Sequence, residues 1–159
     1  MNEVSMKPLS NPTDFSPALA PVKCPMGSYF RLFFLTLAAA YLVFAAAVQY
    51  NDPDPLHWMA LYALTAICCL GAIAEKYWPW LLWMLLGMSV TEMLIALDGF
   101  RQWLALGGQN LLSQQMAAEK PWIEQSREFL GATINLGIVV YLLRRQVRAK
   151  GILSEDEID

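Results

Sequence analysis

The residues of this chain that could do chemistry are few, and the densest group lies at residues 49–58, QYNDPDPLHW. This stretch is an acidic turn that also holds the only histidine, His57. A carboxylate beside an imidazole is a pair used in general acid–base catalysis, and several carboxylates together offer the oxygen ligands that a hard cation prefers. Asn, Asp and Pro also dominate turns for backbone reasons alone. The stretch therefore predicts either a polar site or a turn with no further role.

Three more ionisable residues occur in or just after a later apolar run. Glu92 lies inside it, where a carboxylate costs on the order of 2.5–3.5 kcal/mol if it is central in a bilayer. We therefore expect Glu92 to face other helices and to find a partner there. Asp98 and Arg101 follow at i, i+3 spacing, which predicts a local ion pair.

A third polar group falls on one stripe of the last predicted helix. Glu124, Arg127, Glu128, Gly131 and Asn135 stand at i, i+3, i+4, i+7 and i+11. Residues 129–143 of the same helix carry no charge. This uncharged stretch is shorter than the ~20 residues that a membrane span needs. The charged end of the stripe is thus expected at the membrane interface.

The composition is that of an integral membrane protein. Of 159 residues, 57% are hydrophobic and only 16% are charged, with a mean hydropathy of +0.37. Soluble domains carry about 25% charged residues. The net charge is −3, and the basic residues are clustered rather than spread over one face, so nucleic acid is not an expected partner.

Turn and capping signals divide the chain into four apolar helices. We predict them over residues 29–50, 55–75, 79–104 and 121–143, with prolines opening the last three. Residues 1–27 are expected to be a flexible tail, residues 28–148 a transmembrane domain, and residues 149–159 an acidic tail. The predicted fold is all-α, an up-down bundle of four transmembrane helices.

The distribution of basic residues predicts the orientation. Lysines and arginines flank the first helix, the 76–78 turn and the end of the last helix, whereas residues 49–58 have none. By the positive-inside rule both termini are cytoplasmic, and the 51–57 turn and the 105–123 connector lie on the other side.

This topology brings the polar groups to one end of the bundle and predicts one outward-facing cluster. Its candidate members are Asn51, Asp52, Asp54, His57, Glu92, Asp98, Arg101, Glu124, Arg127 and Glu128. Carboxylates outnumber arginines in this set. Some of them must therefore be protonated, face water or bind a cation.

Two blocks of sequence also resemble a known family. The stretch VQYNDPD at 48–54, followed by Trp58 and Tyr62, and the later pattern E-x-x-R-E-x-x-G at 124–131 are similar to the transmembrane protein 220 family. The resemblance covers roughly residues 30–145. It implies a compact four-helix membrane protein, and it transfers no catalytic residue.

Three functional hypotheses follow. The leading one is a structural or interaction protein, in which ion-paired polar residues fix helix register and the bundle packs against the bilayer, another membrane protein, a lipid headgroup or a second copy. The second is a binding site for a divalent cation or a lipid headgroup on residues 51–54 and 124–128. The third is an enzyme with His57 as base, Asp54 as its orienting group and Glu92 as acid. The three cysteines form no C-x-x-C pair and give no metal or redox signature.

Overall fold

Five α-helices make up the part of the chain that the structure describes. The structure is a computed structural model, and it describes residues 26–51, 55–108, 111 and 120–155. The helices are α1 (Met26–Val48), α2 (Pro55–Ile73), α3 (Pro79–Ile95), α4 (Leu97–Ala105) and α5 (Pro121–Glu155), and a short 3₁₀ turn, Gln49–Asn51, follows α1. No strand occurs among these residues. The predicted all-α class is confirmed, as are the proline starts of α2, α3 and α5.

The predicted helix over residues 79–104 is wrong as a single element, because it breaks at Ala96 between α3 and α4. The two helices meet at an angle of 45°. The N–H of Ala96 still bonds to the Glu92 carbonyl at 3.0 Å, so the chain bends without losing that helical hydrogen bond. The bend places Gly99 against α5, where a β carbon would overlap the side chain of Gln125. This close packing of α4 on the start of α5 is a tertiary contact that the apolar pattern does not encode.

Side-chain contacts join the helices at several points. Arg31 near the start of α1 contacts Glu75 just after α2, and His57 at the start of α2 lies near Glu92 late in α3. Between α4 and α5, the rings of Phe100 and Phe129 stack with centroids 4.1 Å apart. Of the residues predicted to form one cluster, His57 and Glu92 are thus brought near each other.

The core between the helices combines small residues with leucines and one large aromatic residue. Trp58 is 1% exposed, and Leu42, Leu61 and Leu85 are fully buried. Cys68 and Cys69 are free thiols buried in this core. The outer faces are apolar as well, with many exposed aromatic and aliphatic side chains. Exposed apolar surface on this scale is expected where lipid, not water, surrounds the protein.

Three helical segments are long and apolar enough to cross a membrane: Gly27–Val48, Pro55–Ile73 and Pro121–Ala149. The bent pair of α3 and α4 adds a fourth crossing if it counts as one span. The described part of the chain therefore has three or four candidate spans.

The end of α2 has an unusual backbone. Glu75 has φ 55°, in the left-handed region that glycine normally occupies at a helix end. The N–H of Lys76 bonds back to the Gly71 carbonyl at 2.8 Å and closes this turn. A β carbon in this conformation costs roughly 1–2 kcal/mol, so the residue is held by its surroundings.

Candidate functional site

The predicted polar residues that the structure describes fall into three groups, and the first is His57 with Glu92. His57 Nε2 lies 3.7 Å from Glu92 Oε1 across the α2–α3 interface. This is longer than a hydrogen bond, and the nitrogen is buried with no hydrogen-bond partner among the described residues. The imidazole packs at a tilt on Trp58, with ring centroids 5.1 Å apart. The arrangement supports an ion pair once His57 is protonated.

The second group is the pair of Asp98 and Arg101 on α4. Arg101 Nη1 lies 3.8 Å from Asp98 Oδ1, and both side chains are largely exposed. This is the local pair that the i, i+3 spacing predicts. An exposed pair of this kind contributes about 0.2–1 kcal/mol, so it does not by itself build a site.

The third group lines a cavity of about 470 Å³ between α1 and α5. We call this cavity the α1–α5 groove. Its polar end is formed by Gln49, Glu124, Arg127 and Glu128, with Val48 and Leu130 close to them in the chain, and its apolar end by Tyr41, Phe44 and Ile134. The volume lies within the about 300–1,000 Å³ that is usual for small-molecule sites.

Arg127 is fixed at the polar end of the groove by a backbone carbonyl. Its Nε donates to the Leu111 carbonyl oxygen at 3.0 Å, and its Nη2 donates to the same oxygen. These bonds tie Leu111 to the groove wall. Glu124 and Glu128 are half-buried beside it. The polar end thus combines two carboxylates with one guanidinium group.

The groove has a defined depth. Glu124 and Ile134 are ten residues apart on α5, which is about 15 Å along the helix axis. This is roughly half of the ~30 Å hydrocarbon thickness of a bilayer. A charged end and an apolar end therefore lie about one leaflet apart.

Tyr62 and Gly131 form the wall of the groove towards α2. The Tyr62 hydroxyl lies directly on the backbone of Gly131, where a β carbon would overlap it. Tyr62 also stacks on Trp58, with ring centroids 5.7 Å apart. Gly131, which ends the 124–131 motif, thus permits α2 and α5 to approach closely.

Asn135, the last member of the predicted stripe, is turned away from the groove. It is fully buried, and its Nδ2 donates to Ser89 Oγ on α3 at 2.9 Å. The Ser89 hydroxyl in turn donates to the Leu85 carbonyl at 2.8 Å. Sequence reasoning missed this contact, although a lone Ser and a lone Asn in two apolar helices are a signal for such a pair.

A second missed group lies at the opposite end of the bundle. Arg31 and Glu75 form an ion pair, and the Tyr77 hydroxyl donates to Glu75 Oε2 at 3.4 Å. Burial raises the pKa of Tyr77, the Glu75 carboxylate raises it further, and Arg145 and Arg31 act in the lowering direction. These residues belong to three different segments, so no local spacing in the sequence could bring them together.

Part of the predicted cluster lies outside the described residues. This holds for Asp52 and Asp54, for the side chain of Asn51, for the tail before Met26 and for most of the 105–123 connector. Among the residues that the structure does describe, no three His, Cys, Asp or Glu side chains are grouped closely enough to hold a metal ion.

The fold and the groove define the class. This is a multi-pass α-helical membrane protein. The profile described as "Transmembrane family 220, helix" matches residues 41–144, about two thirds of the chain, and the chain belongs to that family. The match covers both motifs on which the resemblance rests. Comparison with curated proteins and with solved structures gives no match.

Proposed function

We propose that the chain is a membrane-embedded binding protein for a zwitterionic phospholipid, which it holds in the α1–α5 groove. The observation that carries this proposal is the axial order of the groove: charged residues at 124–128 and apolar residues down to Ile134. A phospholipid has the same order over the same length, because its headgroup and acyl chains fill one leaflet.

The charges at the polar end favour a zwitterionic headgroup. Glu124 and Glu128 attract the ammonium group of such a lipid, and Arg127 attracts its phosphate. A purely anionic headgroup would meet two carboxylates against one guanidinium group. Charge complementarity therefore supports a lipid that carries both a positive and a negative charge. This proposal develops the hypothesis of a lipid-headgroup site that the sequence suggests for residues 124–128.

The proposal includes a topology. We infer four crossings in an up-down bundle, with α3 and α4 counted as one bent span and both termini in the cytoplasm. Arg31, Lys76, Arg144 and Arg148 support this orientation, because they lie at the end away from the groove. The groove and the 51–57 turn are then on the non-cytoplasmic side.

The test is the lipid that remains bound after purification in mild detergent. Val48 lines the groove next to its polar end and is 55% exposed, so Val48→Trp is expected to fill the groove there without entering the core. We expect native mass spectrometry to show one retained phospholipid in the parent protein and at least tenfold less in this variant.

The matched control is Val43→Trp on the same helix. Val43 is 57% exposed and does not line the groove, so the same change there should leave lipid retention intact. Equal retention by both variants, or equal loss, would contradict the groove as the binding site.

A second candidate function is the structural or interaction role predicted first. The observation that favours it is the use of Arg127 as a tether for the Leu111 carbonyl, since the guanidinium then stabilises a connector. In that case Arg127→Ala lowers the melting temperature by the same amount with and without added lipid. A lipid-dependent difference between the two proteins would favour the binding function instead.

A further inference from the structure

The end of the bundle opposite the groove carries a strong excess of positive charge. Five basic residues lie there on α1, on the α2–α3 connector and on α5: Arg31, Lys76, Arg144, Arg145 and Arg148. Glu75 is the one acidic side chain among the described residues of this end, and it already pairs with Arg31. We call these six residues the basic end. Four positive charges remain after that pairing.

Arg145 has a buried guanidinium nitrogen that no described group satisfies. Its side chain is half-buried, and its Nε is buried with no hydrogen-bond partner among the described residues. The group within its reach is the Tyr77 phenol, which is not a charged acceptor. A guanidinium group in this position gains from an anion that approaches its exposed nitrogens, since charge-assisted hydrogen bonds are roughly twice as strong as neutral ones.

Exposed aromatic residues mark the depth of the basic end. Tyr29, Trp78 and Trp80 are 64%, 36% and 68% exposed, and they lie next to the basic residues in the chain. Tyr and Trp concentrate at the headgroup level of membranes. The basic residues are therefore placed beside phosphate groups of lipid rather than in open water.

We propose that the basic end binds anionic phospholipid headgroups, and that it is a second lipid site with a charge preference opposite to that of the groove. Arg144 and Arg148 stand four residues apart on one face of α5, both exposed, and reach the headgroups directly. Arg31 and Arg145 hold the α2–α3 connector between them through Glu75 and Tyr77. The site does not depend on the lipid proposed for the groove.

The experiment titrates purified protein in neutral detergent with short-chain phosphatidylserine and follows its melting temperature to obtain an apparent Kd. The variant is Arg144→Gln with Arg148→Gln, which leaves the Glu75 network untouched. Each basic residue near an anionic surface contributes ~1 kcal/mol. The double variant should therefore bind roughly 25-fold more weakly, because 1.4 kcal/mol corresponds to tenfold.

The control removes the same charge at the other end of the bundle. Arg101→Gln with Lys120→Gln alters two exposed basic residues there and should leave the apparent Kd unchanged. Binding should also fall in ~1 M salt, where the Debye length is ~3 Å.

Three results would overturn the proposal. Equal loss in both double variants would show attraction by net charge alone. If Arg144→Gln with Arg148→Gln weakened the binding of phosphatidylcholine as much as that of phosphatidylserine, the basic end would have no anionic preference. An equal shift with inorganic phosphate would assign the basic end to a free anion instead of a lipid.

Discussion

Asn135 of α5 donates its side-chain amide to the Ser89 hydroxyl of α3 at 2.9 Å, in a region where both residues are fully buried. This hydrogen bond joins two polar side chains inside the apolar part of the bundle. Asn135 Oδ1 has no partner among the described residues, so Ser89 holds the amide alone. The pair joins α3 to α5 at this depth of the bundle.

Loss of the Ser89 hydroxyl should destabilise the bundle. Ser89→Ala leaves the buried Asn135 amide without its acceptor, which costs about 1–3 kcal/mol. The measurement is the unfolding free energy in detergent. Thr91→Ala is the matched control, because Thr91 makes the same bond to the carbonyl four residues earlier, at 2.9 Å, but is exposed. Equal effects of the two changes would mean that the contact to Asn135 contributes nothing.

A side chain at position 131 should separate α2 from α5. Gly131→Ala places a methyl group against the Tyr62 hydroxyl, and the rigid ring cannot yield without leaving Trp58. We expect a loss of about 1–3 kcal/mol in unfolding free energy, as for other overpacked sites.

The comparison for this change is Gly137→Ala, two turns further along α5. A β carbon there meets nothing within 4 Å. This variant should be neutral or more stable by up to ~1 kcal/mol, since alanine is the better helix former. If Gly131→Ala behaves like Gly137→Ala, the close approach of Tyr62 is not limiting.

Two substitutions of Glu75 separate its backbone from its charge. Glu75→Gly and Glu75→Ala both remove the carboxylate that pairs with Arg31, but glycine alone relieves the left-handed backbone. The glycine variant should be the more stable of the two by about 1 kcal/mol in thermal unfolding. An alanine variant at least as stable as glycine would argue against a left-handed residue at the end of α2.

The raised pKa of Tyr77 makes a prediction for alkaline solution. Burial and Glu75 favour the neutral phenol in the folded protein, so its folded pKa lies above the unfolded value of about 10. Between these two pKa values the unfolded chain has lost the proton and the folded chain keeps it. The stability from this group is thus complete below pH ~10 and is lost as the pH rises through the folded pKa.

Tyr77→Phe should remove that dependence. Its unfolding free energy, measured from pH 8 to pH 11, should fall less steeply above pH ~10 than that of the parent protein. Tyr50→Phe, at a residue that is 77% exposed, should keep the parent slope. Parallel curves for all three proteins would show that Tyr77 titrates as it does in the unfolded chain.

The sequence predicts those parts of the fold that local chemistry decides. Prolines at positions 55, 79 and 121 open helices where expected, because a proline lacks only an N–H that has no partner in the first turn. The ion pair of Asp98 and Arg101 could be predicted too, because residues three apart are neighbours on the surface of a helix. The membrane class follows from composition alone.

Contacts between distant segments could not be predicted in this way. The break at Ala96 depends on how closely Gly99 approaches Gln125, and the apolar pattern through residues 79–104 is the same with or without a bend. The helical spacing predicts that Asn135 lies on the same face of α5 as Glu124 and Glu128. In the structure its side chain instead contacts Ser89 of α3. The network of Arg31, Glu75 and Tyr77 likewise requires the start of α1 to meet the α2–α3 connector.

The uncharged part of α5 is short compared with the hydrocarbon thickness of a bilayer. From Phe129 to Leu143 there are 15 residues without charge, about 23 Å of helix, while α5 as a whole has 35 residues. A bilayer core of ~30 Å exceeds this uncharged length, and such hydrophobic mismatch is relieved by local thinning or by snorkelling of the flanking charges. The uncharged part of α5 is therefore accommodated at lower cost in a thin bilayer than in a thick one.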